Sequence, residues 1–164
     1  MPETAAAAAA RRRSKFLAVV DDTPECRVAV RFATRRARNV GGSVSLLRVT
    51  PPPDAQAWAS IRQMMSQEAR DLAEQLMAEL AQSVQADAGV RPEFVIREGV
   101  VRDEILKLIG EDPDIRILVL AAAPGSGGPG PLVTALAGQM SGNLQIPVMV
   151  VPGSLTDQQL EELV

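Results

Sequence analysis

The chain has 164 residues, 46% apolar and 23% charged, with a formal net charge of −3, which fits one globular domain with a real core and excludes wholesale disorder or a fibrous repeat. It has no histidine, one cysteine, no tyrosine, three phenylalanines and one tryptophan. A histidine triad, a histidine zinc site, an imidazole proton shuttle and an intrachain disulfide are thereby excluded, nothing marks the whole molecule for nucleic acid, and the core falls to Val, Leu, Ile, Met and Ala.

Residues 1–14 carry an alanine run and then Arg11, Arg12 and Arg13, and read as a flexible basic tail. A secretory signal places its charge before its apolar run, so this order predicts no export and a cytoplasmic protein. No run of 18 apolar residues occurs, which predicts no membrane span.

Phe16 to Asp21 (FLAVVD) reads as a Val-rich strand. Thr23 as N-cap, Pro24 at the first helical position and Glu25 at the positive end of the dipole predict a helix start. Val28, Ala29, Phe32, Ala33, Ala37 and Val40 continue at helical spacing until Gly41 and Gly42. The other face, with Arg27, Arg31, Arg35 and Arg38, reads as a solvated basic surface, the alternative being a partner-binding stripe. Cys26 reads as a small buried hydrophobe in a reducing interior.

Ser43 to Val49 (SVSLLRV) is a second predicted strand, closed by the prolines at 51–53. A long helix is predicted from Trp58 to Ala86, with Ile61, Met65, Ala69, Leu72, Leu76, Leu80 and Val84 forming the stripe that packs on a sheet. Its methionines read as core filler. Arg91 to Arg97 predicts a third strand, Glu98 and Gly99 a turn, and Asp103 to Gly110 a short helix.

Ile115 to Ala123 (IRILVLAAA) reads as a strand buried on both faces. The glycine-dense stretch 124–131 (PGSGGPGP) follows, then a helical segment from Leu132 to Leu144 whose Gly138 and Gly142 suggest close packing. Pro147 to Pro152 is the last strand. Thr156 and Gln159 form a capping box for an acidic tail helix within 154–164.

Strands alternating with helices predict an α/β fold, a doubly wound five-stranded parallel sheet with helices on both faces. Ligands of such sheets bind beyond the carboxyl ends of the strands where their order reverses, which singles out Asp21-Asp22-Thr23 and the glycine stretch. The glycine loop sits where backbone amides and a helix N-terminus can hold a phosphate. It is not a Walker A loop, because Pro131 and Leu132 stand where Lys and Ser or Thr are needed. No charged residue occurs from Ile117 to Thr156. Asp21 and Asp22 read equally well as caps of the first helix.

In order and spacing, FLAVVDDTPECRVAVRFA (16–33), SLLRVTPP (45–52), the Glu98-Gly99 turn, ILVLAAAPGSGG (117–128) and IPVMVVPG (146–153) resemble the universal stress protein family, over about residues 15–153. The resemblance implies an adenine nucleotide alpha hydrolase-like sheet in the order 3-2-1-4-5. It also implies a homodimer paired through the last strand, Val148, Met149, Val150 and Val151, and ATP held by some members and not by others; in this uncharged loop a phosphate would rest on amides, the hydroxyls of Ser126, Thr134 and Ser141, and Mg²⁺. The family's motif of glycine, two residues, glycine, nine residues, glycine and a hydroxyl residue fits two registers. One uses Gly125, Gly128 and Gly138, with Ser126 inside and Gln139 in place of the hydroxyl; the other uses Ala122, Gly125 and Ala135. Asp21 matches the adenosine-side acid of the family and Val49 the adenine-pocket position. A receiver domain, which also has an early acidic pair, is set aside because Arg97-Glu98 and Pro152-Gly153 replace its later Asp and Lys. The expectation is a binding or regulatory dimer with a degenerate ATP pocket, and not an enzyme. A nucleotide-free interaction dimer is the runner-up and a slow ATPase using Asp21 or Asp22 the third reading.

Overall fold

The structure is a computed structural model describing residues 4–7 and 14–164; Arg11, Arg12 and Arg13 of the predicted basic tail lie outside the described residues. The elements are β1 (Lys15–Val19), α1 (Cys26–Val40), β2 (Ser43–Thr50), α2 (Ala59–Ala88), β3 (Glu93–Glu98), α3 (Val101–Glu111), β4 (Ile115–Ala122), a π-helix (Val133–Gln139), β5 (Val148–Pro152) and α4 (Asp157–Leu163). All strand pairs are parallel and the sheet order is β3-β2-β1-β4-β5, as expected.

The period-2 alternation of a strand divides the core into two layers. Phe16, Ala18 and Val20 point into one, with Val44, Leu46, Val119 and the apolar faces of α1, α2 and α4. Leu17, Val19, Leu47, Val49, Leu118 and Leu120 point into the other, beneath α3 and the π-helix. Leu17, Leu46, Leu47 and Leu118 have no exposed surface, each contributing about 2 kcal/mol by burial. At the amino end of the sheet Lys15 lies 2.7 Å from both Asp112 and Glu93, tying β1 to the loop before β4 and to β3. Among the described residues no helix is long and apolar enough to cross a membrane.

Four expectations are corrected. First, α1 begins at Cys26 with Glu25 as its N-cap residue, not with Thr23 as cap. Asp21 accepts from the Thr23 N–H at 2.9 Å and from its hydroxyl, an Asx turn that places Pro24 in the approach to the helix.

Second, the basic face of α1 is solvated at Arg27, Arg31 and Arg38 as expected, but Arg35 is buried and three of the four arginines are paired within the chain. Arg31 pairs with Asp157 at 2.9 Å and Arg38 with Glu161 at 2.8 Å, both on α4. Arg35 is buried, bonds Asp87 of α2 and also donates to the Asp157 carbonyl at 3.0 Å. The acidic end of the chain neutralises this face, and its capping box at Thr156 and Gln159 is formed as predicted.

Third, the stripe of α2 is only half buried. Ala73, Met77, Val84 and Ala88 are buried, whereas Ile61, Met64, Met65 and Leu72 are exposed and Trp58, the residue before the helix, is 79% exposed. At 30 residues the helix is about 45 Å long, against about 26 Å for the eight-residue β2, so its first half overruns the core. Met77 fills the core; Met64 and Met65 do not.

Fourth, the predicted 132–144 helix is mainly a π-helix, in which the Met140 N–H reaches the Ala135 carbonyl at 2.8 Å. Gly138 and Gly142 are exposed, and a Cβ on either would meet nothing within 4 Å. Close packing within the chain is therefore not what keeps them small.

Candidate functional site

β1 and β4 are central neighbours, and the chain leaves them in opposite lateral directions, β1 toward β2 and β4 toward β5. This is the reversal point at which a doubly wound sheet opens a crevice beyond its carboxyl ends. A cleft of about 490 Å³, open mouth included, lies there. Val19, Leu120, Ala121, Leu132 and Val133 form its apolar wall. Its polar side consists of Asp21, Thr23 and Glu25, with Cys26 beneath and Pro129-Gly130-Pro131 across the mouth.

Gly130 precedes the first turn of helix, and its carbonyl accepts from the Thr134 N–H at 3.0 Å and the Thr134 hydroxyl at 2.8 Å. Pro131 occupies the first helical position, where the missing N–H costs nothing. The N–H groups of Leu132 and Val133, second and third in the helix, have no intrahelical acceptor. The preceding loop closes on itself where the Ala123 N–H donates to the Pro129 carbonyl at 3.0 Å. Gly125 and Gly128 take φ of 92° and 87°, which a side chain would oppose.

The acidic pair is already occupied. Asp21 holds Thr23, and Asp22 pairs at 2.9 Å with Arg48, which also donates to the Val20 carbonyl at 3.3 Å. Gly153 lies close against Glu25: a Cβ built on Gly153 would stand 2.7 Å from the Glu25 Cβ and 2.5 Å from the Ala122 carbonyl oxygen, so only glycine fits there. Gly153 also donates its N–H to that carbonyl at 2.8 Å, joining the ends of β4 and β5. Burial pushes the Cys26 thiol up, and its sulfur sits 3.4 Å from the Asp21 carbonyl.

Of the predicted site residues, Asp21 lines the cleft. Val49 is buried in the layer beneath it with Val19 and Leu120. Ala122 ends β4, Gly125, Ser126 and Gly128 form the exposed tip of the loop, and Gly138 lies exposed on the π-helix; none of these five lines the cleft. Glu25 and Pro129-Gly130-Pro131 were missed as site residues, although proline directly before an apolar helical pattern marks a helix start.

Among the described residues no three His, Cys, Asp or Glu converge to hold a metal ion. Mg²⁺ that arrives with ATP takes most of its ligands from phosphate oxygens and water and needs no such cluster.

Val148 and Met149 are half-buried on β5, Val150 is 39% exposed and Val151 is buried. Among the described residues β5 pairs only with β4, and its outer backbone edge has no partner strand.

No curated protein matches the sequence. The family model described as the universal stress protein family matches residues 12–152. Among solved structures, the chain is similar to the universal stress protein UspA from Lactobacillus plantarum, with 20% identity and a TM-score of 0.67 over 85% of this chain and 98% of that one. It is also similar to a universal stress protein solved in complex with cAMP, with 15% identity and a TM-score of 0.62 over 86% and 98%. A universal stress protein from Archaeoglobus fulgidus in complex with dAMP follows, with 16% identity and a TM-score of 0.53 over 84% and 97%. At these identities the likeness is one of fold.

Proposed function

The chain belongs to the universal stress protein family, and we propose that it is a cytoplasmic homodimer acting as a binding module, which takes an adenine nucleotide in the cleft between the ends of β1 and β4. The observation that carries this reading is the cleft itself, at the order reversal of a sheet whose family match runs from residue 12 to 152. Its apolar wall suits a purine ring, the carboxylate of Asp21 suits ribose hydroxyls, and the Leu132 and Val133 amides suit one phosphate. That two fold neighbours were solved with cAMP and dAMP supports the choice of base.

Binding is proposed without turnover. Asp22 is paired with Arg48 and Asp21 Oδ1 is taken up by Thr23, which leaves Asp21 Oδ2 for a ribose hydroxyl, and among the described residues no lysine or arginine lines the cleft to stabilise a phosphate leaving group. The dimer is proposed through β5, whose open edge and exposed Val150 suit pairing with the same strand of a second copy. Calorimetric titration of the purified protein with adenine nucleotides tests the pocket: a saturable isotherm is expected, and no saturation at millimolar ligand overturns it. Phosphate release above the uncatalysed rate, abolished in Asp21→Asn, would overturn binding without turnover.

A further inference from the structure

The polar groups around the cleft have an uneven sign. Two acidic residues, Asp21 and Glu25, line it, and among the described residues no lysine or arginine does. Of the neighbouring cations, Arg48 pairs with Asp22, and Arg27 lines an adjoining cavity that shares Asp21, Thr23 and Cys26 with the cleft but opens toward Leu76 and Leu80. The entire glycine loop and π-helix lie in the uncharged stretch from Ile117 to Thr156. Pro124, Pro129 and Pro131 supply no N–H, the Ala123 N–H is held by the Pro129 carbonyl, and the amide-bearing tip from Gly125 to Gly128 does not line the cleft. One phosphate can be served by the Leu132 and Val133 N–H groups; each phosphate beyond it adds negative charge to a cleft whose described lining carries two acidic residues and no basic one.

We infer that the cleft selects an adenine nucleoside, or a nucleotide with a single phosphate, over the triphosphate, and that Glu25 is the residue that sets this preference. The inference rests on the reading of the cleft as an adenine-nucleotide site and names its ligand class. A carboxylate at the mouth of a partly desolvated cleft repels each added phosphate charge while leaving the uncharged nucleoside unaffected, so selectivity follows from charge alone.

The test is calorimetric titration of the full chain with adenosine, AMP, cAMP and ATP, the last with and without excess Mg²⁺, for the wild type, Glu25→Gln and Glu25→Lys. The expected result is ATP binding about tenfold or more weaker than adenosine or AMP in the wild type. Glu25→Gln should narrow that gap and Glu25→Lys close or reverse it, read as the ratio of ATP to adenosine affinity within each variant. Circular dichroism and thermal melts of each variant separate a change of preference from a loss of fold. ATP binding as tightly as AMP in the wild type, or an adenosine-to-ATP ratio that does not move in either folded variant, overturns the inference while leaving the nucleotide site standing. If none of the four ligands saturates, the nucleotide site itself is overturned, and this inference with it.

Discussion

Arg35 grips Asp87 at two points across the α1 and α2 contact, Nε to Oδ2 at 3.0 Å and Nη2 to Oδ1 at 2.9 Å, while only 8% of the arginine side chain remains exposed. The parallel geometry of two charge-assisted bonds makes this the best-formed of the ion pairs described. Replacing Asp87 by Asn leaves a nearly buried guanidinium with a weaker partner and should cost about 2 kcal/mol, less than a fully buried pair because the carboxylate is partly wet. Urea denaturation of the two proteins at neutral pH measures the loss.

The same pair sets a pH dependence. Arg35 holds the Asp87 carboxyl below its ordinary value of 3.8, an effect that its partial desolvation opposes. A carboxyl depressed in the folded state adds stability above its unfolded value, and that stability is lost as pH falls through the folded value. The wild type should therefore lose stability more steeply than Asp87→Asn below about pH 4, and the two curves should converge in acid. Thermal melts across an acid pH series read this out.

Leu160 is 1% exposed and is the buried anchor of α4, whose polar ends are held by Arg31 and Arg38. Leu160→Ala should cost about 3 kcal/mol through the cavity it leaves. Thr156→Ala, which removes the capping box, should cost about 1 kcal/mol. Proteolysis should then cut first within 154–164, whereas cleavage starting elsewhere would contradict a weakened α4.

Gly153 and Gly138 should respond oppositely to alanine. At Gly153 the new Cβ meets a backbone carbonyl at 2.5 Å and the Glu25 Cβ at 2.7 Å, contacts that cannot yield cheaply. A loss of about 2 kcal/mol is expected. Gly138→Ala meets open space and should be neutral or raise Tm, since alanine favours helical backbone by about 1 kcal/mol. Differential scanning calorimetry of both variants checks the contrast.

A charge on the open edge tests the assembly. Val150→Lys places an ammonium where a twin strand would dock, at a position already 39% exposed. Sedimentation should show a dimer in the wild type and a monomer in the variant, with monomer stability within about 0.5 kcal/mol.

The sheet was readable because its strands are rich in aliphatic residues and fenced by Gly and Pro; Leu118, Val119 and Leu120, buried in sequence, allow no one-sided element. Its order came from the family resemblance, since period alone does not say which strands are neighbours. The α2 stripe was misread because hydropathy marks Ile61 and Leu72 as inward without measuring the sheet they must cover. The role of the α1 arginines was hidden for another reason: Arg35, Asp87 and Glu161 are far apart in sequence, and charge pairing at that distance leaves no local pattern. In the cleft, Asp21 was found by its place after β1, but Glu25 passed for a helix-start residue because its contact with Gly153 exists only once β5 is in the sheet.

The sheet order also fixes the sequence of events during synthesis. β1 can pair with β2 as soon as Val44 to Leu47 leave the ribosome, but its other side waits for Phe16 to meet Ile117, late in translation. Throughout that interval a bare strand edge of Leu17 and Ala18, wholly covered in the finished molecule, stands open to any passing strand. A nascent chain stalled before β4 should thus lean on a chaperone more than one stalled after β5 has joined the sheet.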